Sequence, residues 1–323
     1  ESPFDLPASV KREVLREMES VPFNRYPDDH PVPLQTAIAS SLGVEPNSVL
    51  VGNGSNELTH TLGLALMAGG RVVLPTPLFA LFRSVARLFG SELTEVPPRP
   101  DLSFDTEALI SAVRQHDPDL TVIATPNNPT GLEMKHADVR RIVEASGGFV
   151  LVDEAYAEFG DEPNAIPLID RYPNVIVMRT LSKGYGLAGL RVGFLVARSS
   201  VIQELLKARL PFMIGELAQR TAQKLLAMPE LVRDRVETMQ KSVTELYDVL
   251  AERGLEPVPS KANFVLFKAP ERPADFVRRM AGEGILIRDM SGYIELRDYV
   301  RVCAGSAAEN KAFSDALTKI LGH

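Results

Sequence analysis

The chain has 323 residues, of which 45% are hydrophobic and 24% charged, so its composition is that of a globular protein and excludes a mainly disordered chain. Its 35 Lys and Arg against 42 Asp and Glu give a formal net charge of −7, so no global positive field favours nucleic acid or anionic lipid. A single cysteine excludes an internal disulfide framework and a cysteine-rich zinc site, and the apolar stretches are too short to span a membrane, so we expect a soluble, cytoplasmic protein.

Short apolar strand patterns alternate with amphipathic helical patterns along most of the chain. After a helical pattern at 10–18, the strand patterns occur at 48–51, 71–74, 120–124, 149–152, 174–178 and 192–197. The helical patterns between them occur at 56–68, 78–89, 105–115 and 135–145. This alternation predicts an α/β protein with a mostly parallel sheet whose strands are buried on both faces.

The order of elements changes near Pro229. One long helical pattern runs from there to about Arg253 and ends at Gly254. It is followed by strand patterns at 263–267, 285–288 and 299–303 and by helical patterns at 276–280 and 309–321. We therefore expect a large domain at 26–235 and a smaller α+β domain built from both chain ends, 1–25 and 236–323.

Lys183 lies among small and hydroxyl residues just after the strand pattern at 174–178. A lysine at the end of a buried strand is unusual, because burying its charge without a partner is costly. It fits a Schiff-base lysine, a role suited to a desolvated amine with a lowered pKa. An exposed loop lysine is the other interpretation, and this residue alone favours it.

Asp153 ends the apolar pattern at 149–152, which we expect to be a central strand. Ligands of α/β sheets bind at the carboxyl ends of the parallel strands. Taken alone, an acid there more commonly caps the next helix. Paired with Lys183, it is placed to hold a pyridine nitrogen protonated and so make the ring an electron sink.

Three further segments point to anion binding or catalysis. The turn at 52–57, Gly-Asn-Gly-Ser-Asn-Glu, precedes a helix whose first N–H groups could hold a phosphate, although a plain tight turn explains it equally well. The loop at 125–131, Thr-Pro-Asn-Asn-Pro-Thr-Gly, could aim an amide into the crevice or be a surface turn. Arg191 lies close to glycines at a strand start and suits a bidentate phosphate contact or a structural salt bridge.

In this order, the glycine turn, Asn-Asn-Pro-Thr-Gly, Asp-Glu-Ala-Tyr, Ser-Lys and Gly-Leu-Arg-Val-Gly resemble the fold-type-I (class I/II) pyridoxal-phosphate aminotransferases. Within them the chain is similar to the histidinol-phosphate aminotransferase family. The resemblance covers essentially the whole chain, from Asn24 to Asn310. It implies a large domain with a mostly parallel seven-stranded sheet flanked by helices, a small α+β domain, and pyridoxal 5'-phosphate as cofactor.

The resemblance also implies a role for each site residue. Lys183 would form the Schiff base and move the proton, Asp153 would pair with the pyridinium nitrogen, and Phe79 would stack on the ring. The phenolic oxygen of the cofactor would be held by Asn128 and Tyr156. Its phosphate would be held by Ser55, Asn56, Thr180, Ser182 and Arg191, and by Tyr26 of the neighbouring subunit in a homodimer with shared sites. No metal is implied.

By the same resemblance, Arg301 would bind the substrate carboxylate, Arg288 would lie near a side-chain phosphate, and Asn263 would complete the carboxylate site. An unpaired guanidinium in an apolar strand pattern is costly, and an anionic substrate would supply the partner. Two ordinary edge-strand arginines would need none. The function implied is transfer of the amino group between L-histidinol phosphate and 2-oxoglutarate, a step of histidine biosynthesis.

The residues leave three alternatives open: an aromatic or broad-range amino-acid aminotransferase, a decarboxylase of a phosphorylated amino acid, and a non-catalytic protein that binds the cofactor. Two departures from the family bear on the substrate, because residues 210–215 lack the usual Tyr-Asn and Tyr185 replaces a usual phenylalanine. The family usually carries an N-terminal segment that ends in Asn-Glu-x-Pro, whereas this sequence begins at Glu1-Ser2-Pro3, so we expect residues that close over the substrate to be missing before Glu1. We expect Cys303 to lie in the core.

Overall fold

Seven strands form the larger of two sheets in a computed structural model that describes residues 1–322. His323, the last residue of the predicted small-domain range, lies outside the described residues. The strands are β1 (Val49–Asn53), β2 (Arg71–Pro75), β3 (Glu92–Val96), β4 (Leu120–Ala124), β5 (Phe149–Asp153), β6 (Val175–Thr180) and β7 (Val192–Val196). Their order is β1-β7-β6-β5-β4-β2-β3, and β7 alone among these seven runs antiparallel to its neighbours.

Helices cover both faces of this sheet. The first half of the chain contributes α1 (Ala8–Met18), α2 (Val32–Leu42), α3 (Gly54–Leu62), α4 (Ala80–Leu88), α5 (Thr106–His116) and α6 (His136–Ala145). The short α7 (Leu168–Arg171), α8 (Ser199–Leu206) and α9 (Glu216–Leu226) follow. Along β6, Val175 and Val177 enter one hydrophobic core while Ile176 and Met178 enter the other. This alternation explains why the central strands are continuously apolar.

A second, three-stranded sheet follows the long helix α10 (Pro229–Glu252). Its strands are β8 (Phe264–Lys268), β9 (Arg288–Asp289) and β10 (Tyr299–Cys303), in the antiparallel order β8-β10-β9. Helices α11 (Pro273–Gly282) and α12 (Ala307–Leu321) pack on it. The predicted fold class, a seven-stranded mostly parallel sheet flanked by helices and a small α+β unit, is confirmed.

Helix α10 belongs to two cores. Val236 and Met239 pack in a core of the large sheet, whereas Leu246 and Leu250 pack in the core of the small sheet. The helix therefore connects the two sheets by continuous packing.

The first residues of the chain contact both sides of the molecule. Lys224 of α9 lies 2.6 Å from Glu13 and 2.7 Å from Glu17 of α1, whereas Asn263 Nδ2 donates a hydrogen bond to the carbonyl of Glu1 at 3.1 Å. The assignment of 1–25 to the small domain, and the limits at 26 and 235, stay predictions.

Two expectations from the sequence need correction. The strand expected at 285–288 forms ladder pairs only at Arg288–Asp289, because Leu286 is 87% exposed and the chain reaches β10 only at its end. Cys303 is exposed and does not lie in the core. Side chains alternate along β10, so Val300 and Val302 face the core of the small sheet while Arg301 and Cys303 face away from it.

Among residues 1–322, no helix combines the length and the apolar character that crossing a membrane requires.

Candidate active site

A cavity of about 240 Å³ lies at the carboxyl ends of the parallel strands. Asp153 ends β5 and Thr180 ends β6, so both side chains reach this edge of the sheet together with the loop that follows β6. The cavity is lined by ten of the predicted site residues, namely Ser55, Asn56, Phe79, Asn128, Asp153, Tyr156, Thr180, Ser182, Lys183 and Arg191. Strand ends of a parallel sheet meet at one edge, which explains why residues far apart in sequence converge here.

The turn at 53–55 and the start of β7 form a closely packed cradle. Gly54 has φ +73°, and a Cβ added there would collide with the Arg191 guanidinium. A Cβ on Gly193 would lie 2.6 Å from the Gly54 carbonyl carbon and 3.0 Å from the Ser55 Cα. Only glycine allows these close approaches, and they place Arg191 beside the first residues of α3. A guanidinium at a helix N-terminus is a site for an anion.

Two buried hydroxyl groups line the same cavity as this cradle. Thr180 Oγ1 donates to Ser182 Oγ at 2.9 Å and accepts from the Ser182 backbone N at 3.1 Å. Both residues are buried and both line the cavity. Their hydroxyls, with Ser55, provide donors suited to phosphate oxygens.

Asp153 is 7% exposed, and its Oδ1 accepts one hydrogen bond from the Ala155 backbone N at 3.0 Å. Burial raises the pKa of this carboxyl to about 7, with Glu154 adding to the effect and Lys183 opposing it. A cationic group bound in the cavity would stabilise the ionised carboxylate.

Burial also lowers the pKa of Lys183, and the positive charges of Arg301 and Arg191 lower it further, whereas Cys303 and Glu1 oppose the shift. Its Nζ lies 5.6 Å from the centroid of the Tyr156 ring. A lowered pKa increases the fraction of neutral amine, the form that attacks a carbonyl.

The Tyr156 ring forms one wall of the cavity. It packs edge-on against Phe264 of β8, with 5.4 Å between ring centroids. Burial raises the pKa of its phenol, so the hydroxyl stays protonated and remains a hydrogen-bond donor at neutral pH.

The two neighbouring asparagines of the 125–131 loop have different partners. Asn127 is buried, and its amide donates to the Pro77 carbonyl at 2.9 Å and to Thr130 Oγ1 at 3.0 Å, which fixes the loop. Asn128 lines the cavity, and its Oδ1 accepts a hydrogen bond from Arg301 Nη1. The loop therefore presents one amide to the site and uses the other to hold its own shape.

Arg301 approaches the site from the small sheet. Its guanidinium carbon lies 4.5 Å from the centroid of the Phe264 ring, and its Nε is buried with no hydrogen-bond partner. Arg288 is directly opposite Arg301 in the register of β9 and β10 and is exposed. An orphaned buried donor beside a second arginine favours an anionic ligand.

The structure does not bring all predicted residues to the cavity wall. Asn263 is 1% exposed and bonds the Glu1 carbonyl. Tyr26 is 82% exposed and stacks on Phe212 with 4.7 Å between ring centroids. Neither residue lines the cavity of its own chain.

Sequence reasoning missed a buried charge pair beneath the site. Arg179 donates to Glu154 Oε2 through Nε at 2.9 Å and through Nη2 at 2.7 Å. Glu158 is half-buried, its Oε2 is buried with no hydrogen-bond partner, and desolvation raises the pKa of its carboxyl. The signal in the sequence was the second acid directly after Asp153, inside an otherwise apolar segment.

No group of three or more His, Cys, Asp or Glu within residues 1–322 is arranged to hold a metal ion.

Comparison with known proteins identifies the family. The profile of aminotransferase class I and II matches residues 1–317. The chain is 40% identical to the histidinol-phosphate aminotransferase of Chlorobium phaeovibrioides, over 100% of this chain and 90% of that protein. The chain belongs to the class I and II aminotransferases, and it is an enzyme of the transaminase type.

Solved structures agree on the fold. The histidinol-phosphate aminotransferase of Sinorhizobium meliloti, solved in complex with pyridoxal-5'-phosphate, superposes with a TM-score of 0.90 at 27% identity, over 100% of this chain and 89% of that one. The L-threonine-O-3-phosphate decarboxylase of Porphyromonas gingivalis superposes with a TM-score of 0.85 at 23% identity, over 98% and 95%. The second likeness concerns the fold alone.

Proposed function

We propose that the chain uses pyridoxal 5'-phosphate to transfer the amino group between L-histidinol phosphate and 2-oxoglutarate. The observation that carries this proposal is the single cavity in which Lys183, Asp153 and Arg191 meet. The relatives that carry the histidinol-phosphate name match over the full chain and support the choice of substrate.

The cavity fits the cofactor by three independent features. Arg191 and the α3 N-terminus suit its phosphate, and Gly54 and Gly193 permit the close approach of Arg191 and β7 to the first residues of α3. Asp153 is a buried carboxyl that needs a cation, and a pyridinium nitrogen is one. Lys183 has a lowered pKa suited to an amine that must react with an aldehyde.

When bound, pyridoxal phosphate supplies the carbonyl that receives the amino group and the ring that withdraws electrons from the substrate α-carbon. Lys183 Nζ would take the substrate α-proton and give it back, because Lys183 lines the cavity and desolvation lowers its pKa. Asp153 would hold the ring nitrogen protonated. Asn128, Tyr156 and Phe79 line the same cavity and would orient the cofactor there.

Two arginines on the small sheet select the substrates. Arg301, held by Asn128 and stacked on Phe264, would bind the carboxylate of 2-oxoglutarate or glutamate. Arg288, beside it in the ladder and exposed, would meet the phosphate of histidinol phosphate. A bidentate guanidinium suits both anions. Asn263 would assist at the carboxylate once its bond to Glu1 is released.

We also propose a homodimer with shared sites. Tyr26 is 82% exposed and stacks on Phe212, which is 43% exposed, and Phe23, three residues before Tyr26, is 87% exposed. Large exposed aromatic side chains grouped in this way mark a protein contact. In a dimer, Tyr26 would reach the cofactor phosphate of the neighbouring subunit.

A panel of amino donors tests the function. Purified enzyme loaded with pyridoxal phosphate is mixed with histidinol phosphate, phenylalanine or a phosphorylated amino acid, and the cofactor absorbance and carbon dioxide release are followed. We expect histidinol phosphate to convert the cofactor fastest and 2-oxoglutarate to restore it, with no carbon dioxide. Faster conversion by phenylalanine would establish the broad-range alternative, and carbon dioxide release would establish the decarboxylase.

The variant Lys183→Ala separates binding from catalysis. We expect it to bind the cofactor and to lose turnover by several orders of magnitude, because no other lysine lines the cavity. A wild-type chain that binds the cofactor and never cycles with any donor would favour a non-catalytic role.

A further inference from the structure

Asn53 connects the turn at 53–55 to a loop that is distant in sequence. It is the last residue of β1 and directly precedes Gly54 and Ser55. Its Nδ2 donates a hydrogen bond of 3.0 Å to the carbonyl of Met213, which is 160 positions away in sequence. Its backbone N donates to Glu57 Oε2 at 3.2 Å, so the same residue also closes the first turn of α3.

Met213 lies in the segment 209–215, here called the 209–215 loop, which is anchored at several points. Arg209 is 3% exposed at its side chain and donates through Nη2 to the Asp29 carbonyl at 2.7 Å. The Phe212 backbone N donates to Asp29 Oδ1 at 3.2 Å, and Gln219 donates to the Ile214 carbonyl at 2.9 Å. The loop is therefore tied to the segment that carries Tyr26.

The outer side of the 209–215 loop is apolar and exposed. Leu210 is 61% exposed and Phe212 is 43% exposed, and Phe212 stacks on Tyr26 with an interplanar angle of 20°. Phe212 adopts φ +58°, a left-handed conformation that is strained for a bulky residue. Strain of this kind persists only where the surrounding contacts hold the backbone in place.

We propose that Asn53 is a positioning residue that couples cofactor binding to subunit association through the 209–215 loop. The inference rests on the proposed function, because it takes the turn at Gly54 and Ser55 as the site of the cofactor phosphate. A phosphate bound at Gly54 and Ser55 would order the turn and so hold the Asn53 side chain in place. Because Asn53 donates to the Met213 carbonyl, the backbone at Met213 would be held as well. The exposed ring of Phe212, the preceding residue, would then keep one position. Coupling between two binding events is reciprocal, so association of subunits must tighten cofactor binding by the same factor.

The test compares Asn53→Ala with Asn174→Ala. Asn174 is a matched control, because its amide also donates to a backbone carbonyl, that of Gly148 at 2.8 Å. It directly precedes β6, so it lies at the amino end of the strand, away from the cavity at the carboxyl ends. The dissociation constant of the dimer is measured by sedimentation with and without pyridoxal phosphate. The dissociation constant for pyridoxal phosphate is measured by titration of cofactor-free protein.

In the wild-type chain we expect pyridoxal phosphate to tighten the dimer. In N53A we expect the dissociation constant for pyridoxal phosphate to rise about tenfold, the effect of one net hydrogen bond. The factor by which the cofactor tightens the dimer should fall by a similar amount. In N174A both quantities stay at the wild-type values. Should N53A not fold, the near-isosteric N53L, which also lacks the donor, is measured in its place.

Three results would overturn the coupling. The first is that N53A has the wild-type dissociation constants for both pyridoxal phosphate and the dimer. The second is that N53A binds pyridoxal phosphate more weakly while the cofactor still tightens its dimer as much as in the wild type. The third is that the wild-type chain stays monomeric while it binds the cofactor. A wild-type chain that does not bind pyridoxal phosphate would instead contradict the proposed function. The two failures are therefore distinguishable.

Discussion

Asp153 shows how burial alone prepares a group for its partner. Its pKa is raised to about 7 by burial, so the cofactor-free chain holds a proton there that an unfolded chain would release near pH 4. Since the folded state binds the extra proton, its free energy of unfolding falls as the pH rises through this window. A bound pyridinium removes this cost, which links the stability of the enzyme to its cofactor.

We therefore expect Asp153→Asn to change the pH dependence of stability. Between about pH 4 and 7, the unfolding free energy of the cofactor-free wild type falls relative to D153N by about 1.4 kcal/mol per pH unit. Denaturant unfolding at several pH values measures the difference. The exposed Asp298→Asn is the control and follows the wild type. Parallel pH curves for D153N and the wild type would contradict the assignment of the raised pKa.

Arg301 offers a second prediction at the residue scale. Its planar guanidinium stacks on Phe264 and reaches Asn128, which an ammonium cannot reproduce. We expect Arg301→Lys to raise the KM for 2-oxoglutarate about ten- to a hundredfold and to leave the cofactor absorbance unchanged. Arg297→Lys, an exposed change four residues earlier, is the matched control. An unaltered KM in R301K would place the carboxylate elsewhere.

Single residues also show where sequence reasoning stops. Lys183 and Asp153 were predictable as neighbours, because strand ends of a parallel sheet share an edge. Cys303 was placed wrongly in the core, although its spacing of two residues from Arg301 puts both side chains on one face. The ion pair of Arg179 with Glu154 was missed, since nothing local in the sequence states which buried acid a given arginine meets.

At the scale of elements, the central strands and the apolar edge strands β1 and β8 were predictable, whereas the edge strand β3 was missed and β9 was given the wrong length. β6 reads as apolar because both of its faces are covered, whereas β3 contains Glu92, Thr94 and Glu95 at the edge of the sheet and gave no signal. β9 is short because Leu286 turns outward just before it. Edge strands have one neighbour, so their composition is weakly constrained.

The close contact of β7 with the turn at 53–55 gives a prediction about a substitution at Gly193. A Cβ on Gly193 would collide with backbone atoms of Ser55, which cannot move without displacing the cradle. We expect Gly193→Ala to weaken pyridoxal phosphate binding at least tenfold, as measured by titration, and to lower the melting temperature. Gly189→Ala is the control, because no atom lies within 4 Å of its added Cβ. Wild-type cofactor affinity in G193A would show that the cradle is not the phosphate site.

At the scale of the whole molecule, shared sites can be tested by mixing inactive chains. If Tyr26 acts on the neighbouring subunit, a dimer of one Lys183→Ala chain and one Tyr26→Ala chain contains one complete site. After unfolding and refolding in equal amounts, we expect about a quarter of the sites to be complete and activity to rise accordingly. Each variant refolded alone is the control. Absence of recovery in the mixture would mean that Tyr26 serves its own chain or none.

The exposed thiol of Cys303 makes the enzyme easy to observe. It is the single cysteine of the sequence, and it ends β10 of the small sheet, two residues after Arg301. A fluorophore attached there would sit at one defined point without any engineering of the chain. Its emission would then report any change in the surroundings of β10 when cofactor or substrate binds.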